Sequence, residues 1–216
     1  MWLALRRLRW ARRVAATPLQ NCWEQPLPGR HSDWRARSFL VCDGEMSSLD
    51  PARGELLSLG WVTIADGAIE LASARHQLLA SERGVGHSAT IHQLTDRDLA
   101  GAPAAATAMA ALLQAAAGKV LVFHHARLDL AYLNRLSQRL YGAPLLLPVV
   151  DTLELEGTRQ QRRGHPLPAG ALTLQACRAR YGLPAHGAHN ALLDALATAE
   201  LLLAQIAHRN NRQSRT

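Results

Sequence analysis

The chain has 216 residues, 48% of them apolar and 19% charged, with a formal charge of +7. This length supports one well-cored domain with short decorations, and nothing in the composition separates a second. Three cysteines, Cys22, Cys42 and Cys177, are odd in number and share no metal-ligand spacing, so neither a disulfide framework nor a zinc site is indicated, and a reduced, cytoplasmic setting fits.

The charge sits at the ends. Residues 1–40 carry eight arginines against Glu24 and Asp33, and the tail from His208 adds Arg209, Arg212 and Arg215, which leaves the middle slightly acidic. Such ends either touch something anionic or are simply solvated. The start, MWLALRRLRWARR, interrupts its apolar residues with arginines and so is not a signal peptide. No uninterrupted apolar run approaches the roughly 20 residues of a membrane span. Residues 2–13 fit an amphipathic helix that docks on a membrane surface, a nucleic acid or a partner.

Residues 20–38 read as a linker, and the folded domain is expected to begin near Trp34. SFLVCD is a first strand. The segment ELLSLGWVTIADGAIELASARHQLLA carries two more, joined at Ala65-Asp66-Gly67-Ala68, because Asp-Gly is a strong hairpin signal. Three successive strands predict an antiparallel meander. The alanine-rich DLAGAPAAATAMAALLQAAAG predicts a helix starting near Ala102-Pro103 and stopping at Gly118. KVLVFHH gives a fourth strand, DLAYLNRLSQRLYG a helix, and PLLLPVVDTLELE a fifth strand running into a helix that Asp151 caps. Beyond the polar loop TRQQRRGHPLPAG, LTLQACRARYG and HNALLDALATAELLLAQIAHR are helices, the last strongly amphipathic. The expected fold class is α/β: a mixed five-stranded sheet, with a meander and two parallel strands, flanked by helices.

Acidic residues gather where this map puts strand ends. Asp43 and Glu45 close the first strand, and residues two apart in a strand point to one face. Asp129 begins the helix after the fourth strand, and Asp194 lies in the last helix, five residues after His189. Open α/β sheets bind ligands beyond the carboxyl ends of their strands, so these groups can face one cleft. Clustered carboxylates repel one another unless a cation neutralises them, and magnesium or manganese suits an all-oxygen site. Two such ions about 4 Å apart stabilise the attacking and leaving oxygens of a phosphoryl displacement. A histidine there, with an ordinary pKa of about 6.5, takes the proton of the attacking water. Singly, each residue has a plainer reading: Asp43 as a turn residue, Asp129 as a helix cap, His189 and Asp194 as solvated groups. Together they mark a metal site.

The motifs VCDGE, VFHHARLDLAYLN and HNALLDALATAELLL resemble, in order and placement, those of the DEDDh 3′–5′ exonucleases. That superfamily includes the proofreading epsilon subunit of bacterial DNA polymerase III, RNase T and oligoribonuclease. The resemblance covers about residues 39–207, and it implies an RNase H-like fold. The exonuclease domain would occupy 38–207, between a basic N-terminal helix and linker (1–37) and a basic tail (208–216).

By the same resemblance, two magnesium or manganese ions are held by Asp43, Glu45, Asp129 and Asp194, with Asp43 bridging and Asp129 supporting the second ion. His189 is the general base, and Asn190 stands where the DEDDy class has tyrosine. Met46, Ser47, Ser48 and Leu49, together with His92 of IHQLT, would bind the terminal nucleotide, with Leu49 as a wedge. Met46 and Leu49 alternatively sit in the core under the cleft. His124, His125 and His186 take supporting roles. Gly44, Met46, Ser48, His125 and Leu128 depart from the family's usual residues, which bears on substrate preference.

The implied activity releases nucleoside 5′-monophosphates from the 3′ end of nucleic acid, preferably single-stranded DNA. The alternatives are an RNA exonuclease of the RNase T or oligoribonuclease type, or a noncatalytic nucleic-acid-binding module. The expected partner is nucleic acid with a free 3′ end. The chain ends soon after its last motif, without an extension like the one that docks the epsilon subunit on its polymerase. The polymerase III core is therefore not an expected partner.

Overall fold

The computed structural model describes residues 2–26, 33–81, 94–164, 166–187 and 189–213. Strands β1 (Phe39–Met46), β2 (Leu56–Ala65) and β3 (Ala68–Leu78) form the antiparallel meander. Strands β4 (Val120–Phe123) and β5 (Val149–Asp151) add in parallel on the other side of β1. The sheet order is β3-β2-β1-β4-β5. At the hairpin, Asp66 and Gly67 take φ of 51° and 78°, the left-handed pair that matches a two-residue turn to the right-handed twist of its strands.

Eight α-helices are found among the described residues. Helices α1 (Trp2–Leu8) and α2 (Pro18–Glu24) precede the sheet, and α3 (Asp96–Leu99) and α4 (Ala105–Ala116) follow the meander. Helix α5 (Ala126–Tyr141) follows β4, α6 (Thr152–Arg162) follows β5, and α7 (Leu174–Ala179) and α8 (Ala191–Gln213) complete the chain.

Strand periodicity divides the interior into two cores. Leu40 and Cys42 of β1 and Leu121 and Phe123 of β4 pack with Leu19 of α2, Leu112 of α4 and Leu133 of α5. Their neighbours Phe39, Val41, Val120 and Val122 face the opposite way, onto Ala199 and Leu202 of α8. Covered on both faces, β4 is buried along its whole length, which is why it reads as the unbroken apolar run VLVF. Burying each such side chain contributes about 1.5–3 kcal/mol.

By length and composition, residues 191–209 of α8 would suffice to cross a membrane. In the fold that helix lies across β1 and β2. Gly60 of β2 permits its close approach, since a Cβ there would come within 2.2 Å of the Ala191 and Leu192 backbone.

Three local expectations are corrected. Residues 18–24, read as partly linker, form α2, because Leu19 and Cys22 lie on one helical face and bury in the core. Helix α4 starts at Ala105 rather than at Ala102-Pro103, because the Pro103 carbonyl accepts a hydrogen bond from Ala80 N (3.0 Å) and extends the chain beyond β3. Asp129 lies in the first turn of α5 rather than at its cap. His125 breaks the chain with φ 72° and occupies the cap position.

Asp151 caps α6, accepting from Leu153 N (2.9 Å), and also accepts from His125 N (3.0 Å) and Ala126 N (2.8 Å) at the start of α5. One carboxylate therefore ties together two helix starts. Asp151→Ala would leave those three amides without their partner and is expected to cost about 2–3 kcal/mol. For a domain of this size that is a fall in Tm of about 4–12 °C, read by thermal denaturation.

Candidate active site

Because Phe39 and Val41 face α8, the alternation of β1 carries Asp43 and Glu45 to the same side, where the strand leaves the core. Helix α8 brings Asp194 to meet them from its first turn. Carboxylate oxygens of Asp43, Glu45 and Asp194 all lie within 4.8 Å of one another. Asp129 approaches from the other face of β1, 6% exposed, its Oδ1 3.4 Å from where a Cβ on Gly44 would sit. The four acids predicted from the motifs are thus brought together, three in a tight group and the fourth beneath it.

Asp194 is held on both oxygens. Its Oδ1 accepts from His186 Nε2 (2.7 Å), and its Oδ2 from the backbone amides of His189 (2.8 Å) and Asn190 (3.2 Å). Asn190 Oδ1 in turn accepts from Leu192 N (3.1 Å) and Leu193 N (3.2 Å), capping α8. His189 has φ 67° and is exposed. His186, expected in a supporting role, is a direct partner of Asp194, and the sequence alone did not say which group it would meet. His124 bridges Thr152 Oγ1 and the Leu172 carbonyl, both at 2.9 Å, a structural role.

The segment after β1 is tightly tied. Opposite Glu45 and Met46 the register shifts by one residue, with Leu57 of β2 left as the extra one. Ser47 N donates to the Glu55 carbonyl, and Ser47 Oγ accepts from Glu55 N, both at 2.9 Å. Tyr132 of α5 donates to the Ser48 carbonyl (2.6 Å), and Arg135 donates to that of Pro51. Met46 packs against the core, whereas Leu49 is 83% exposed. His92 lies outside the described residues.

The electrostatics call for a cation. Burial, then Asp129, Asp194 and Glu45, push the Asp43 carboxyl well above its ordinary range. Burial and Asp194 raise Glu45 to about 7. Asp129 is raised to about 8, chiefly by burial and despite backbone hydrogen bonds at its own residue and Gly44. Every influence on Asp43 and Glu45 disfavours the charged form, as expected where like charges are confined together. The donors are all oxygens, so a hard divalent cation fits this group. Cys22, Cys42 and Cys177 are buried and free.

Comparison with known proteins agrees with this arrangement. The exonuclease family RNase T matches residues 40–202. A Rhodobacter capsulatus protein named DNA polymerase III subunit epsilon-like protein is 32% identical over 171 residues, covering 77% of this chain and 23% of that protein. A PolC-type DNA polymerase III of Thermotoga petrophila is 26% identical over 173 residues, covering 80% of this chain and 12% of that one. The chain thus spans less than a quarter of these curated relatives.

Among solved structures, the nuclease domain of 3′hExo, a DEDDh family member bound to rAMP, superposes with a TM-score of 0.68 at 14% identity, covering 82% of this chain and 95% of that one. E. coli exonuclease I in complex with a dT13 oligonucleotide gives a TM-score of 0.66 at 14% identity, over 82% and 42% of the two chains. The sheet, the carboxylate group and these matches together place the chain in the RNase T exonuclease family, with the fold of the DEDDh 3′–5′ exonucleases.

Proposed function

We propose that the protein is a metal-dependent 3′–5′ exonuclease that releases nucleoside 5′-monophosphates, acting on RNA ends in the manner of RNase T or oligoribonuclease. The observation that carries this reading is the convergence of Asp43, Glu45 and Asp194 within 4.8 Å, from a strand end and a helix start. Asp43, Glu45 and Asp194 would hold one magnesium or manganese ion, and Asp129 would help to hold a second. When bound, these ions supply the positive charge that a phosphodiester displacement requires.

The chain's own groups do the rest. His189, exposed and tied to Asp194 through its backbone amide, accepts the proton of the attacking water. His186 and two backbone amides fix the Asp194 carboxylate, so its orientation does not depend on a flexible side chain. Leu49 stands clear of the core to pack against the terminal base. The backbone at Met46, the last residue of β1, receives the terminal sugar together with Ser47 and Ser48. His92 completes this assignment as a contact to the terminal nucleotide.

His189→Ala is expected to lower turnover by about 10²–10⁴-fold. The rise in Tm on adding manganese should remain, because the carboxylates are intact. Single-turnover digestion and thermal denaturation separate the two effects.

An RNA substrate is favoured by the RNase T family match and by the rAMP bound to 3′hExo. The second reading, a preference for single-stranded DNA, draws on the epsilon-like relative and on exonuclease I with its dT13 oligonucleotide. Digestion of 5′-labelled, matched RNA and DNA oligonucleotides with manganese, magnesium or EDTA tests both. A metal-dependent ladder from the 3′ end that runs faster on RNA is expected. A faster DNA ladder would select the second reading, and no ladder from folded, metal-loaded protein would overturn the exonuclease assignment. We place the protein in the cytoplasm and working apart from the polymerase III core. Co-purification with that core would contradict the latter.

A further inference from the structure

Helix α1 is anchored far from the carboxylates. Arg7, 8% exposed, turns inward and donates to the Leu146 carbonyl from Nε (3.1 Å) and Nη2 (2.9 Å), and to the Trp23 carbonyl from Nη1 (3.1 Å). Val14 is buried in the core, and Arg13 reaches the Gly142 carbonyl at the C-terminal end of α5. The active site lies at the other end of α5, whose 16 residues span roughly 24 Å.

The outward face of this anchored helix is apolar and cationic at once. Trp2, Leu5 and Leu8 are 69%, 60% and 71% exposed, three of the eight large apolar side chains so exposed among the described residues. Exposure on that scale within seven residues is a patch, not scatter. Arg6, Arg9 and Arg12 are exposed among them, with Arg6 over the Trp2 ring at 4.5 Å and Arg9 over the Trp10 ring at 5.3 Å. No acidic residue precedes Glu24.

A single-stranded nucleic acid would be met by the arginines and, through base stacking, by Trp2, but leaves Leu5 and Leu8 without a partner. A bilayer interface of anionic lipid satisfies both: tryptophan and leucine enter the boundary between headgroups and acyl chains while arginines meet lipid phosphates. We propose that α1 and the turn that follows, residues 2–13, dock the protein on an anionic lipid surface. The active site, at the far end of α5, is then left open to solvent.

The test is co-sedimentation of the full chain with vesicles of phosphatidylcholine, alone or mixed with phosphatidylglycerol. The wild type should sediment with the anionic vesicles only, and less at high salt. Leu5→Ser/Leu8→Ser and Arg6→Glu/Arg9→Glu should each weaken partitioning by about tenfold or more. Neither double variant should alter the Tm or the digestion of a short oligonucleotide in free solution. Failure of the wild type to sediment with anionic vesicles, equal binding to neutral ones, or full binding by both double variants would overturn the assignment. A vesicle-inert wild type whose affinity for RNA falls in the arginine variant would overturn it as well, giving this face to nucleic acid.

Discussion

Asp43→Asn is expected to abolish exonuclease activity, by about 10³-fold or more, while raising the melting temperature of the metal-free protein at pH 8. The two effects share one cause. Asp43 sits among Asp129, Asp194 and Glu45, all of which act against its ionisation. The amide keeps the shape of the side chain and removes one charge from a repelling group, so the metal-free fold gains stability. The same change removes a ligand from the carboxylate group that gathers the cation, so the rate falls and the Tm response to manganese shrinks. Single-turnover digestion, with thermal denaturation in EDTA and in manganese, reads both effects. An Asp43→Asn protein with unchanged activity would sink the metal-centre reading, and one with a lower Tm in EDTA would show that Asp43 serves the fold instead.

The pH dependence of stability is the second large effect. Glu45 at about 7 and Asp129 at about 8 both lie above the ordinary values of 4.5 and 3.8 that they regain on unfolding. A raised folded pKa means that the folded state binds more protons, so the contribution is complete below about pH 4 and is lost as pH rises through 7 to 8. In EDTA the Tm is therefore expected to fall between pH 5 and pH 8, on the order of 10 °C.

Manganese competes with those protons, so its stabilising effect should grow over the same interval. At a hundredfold excess over its Kd a ligand contributes about 2.7 kcal/mol, or roughly 5–10 °C here. Differential scanning calorimetry at pH 5, 6, 7 and 8, with and without manganese, measures both trends. A Tm in EDTA that is flat or rises over this interval would contradict the coupling of these acids. Asp43→Asn should flatten the fall.

Much of this site was legible in the sequence because strand and helix periods are local. Residues two apart in β1 share a face, so Asp43 and Glu45 converge whatever surrounds them. The spacing of His189 and Asp194 likewise follows from a chain entering a helix, which lets the His189 amide reach Asp194 Oδ2. The Asp66-Gly67 turn and the apolar run of β4 belong to the same class of local information.

Tertiary structure alone decided the rest. Asp194 and Asp129 reach β1 from opposite faces, and Gly60 of β2 gives the start of α8 the room to approach. His186 engages Asp194, Asp151 holds the starts of two helices, and Leu19 and Cys22 turn a supposed linker into part of the core. Each of these depends on which groups far apart in sequence come within hydrogen-bond or van der Waals reach. Backbone periodicity fixes where a side chain points along its own element, whereas close packing of elements fixes what it meets.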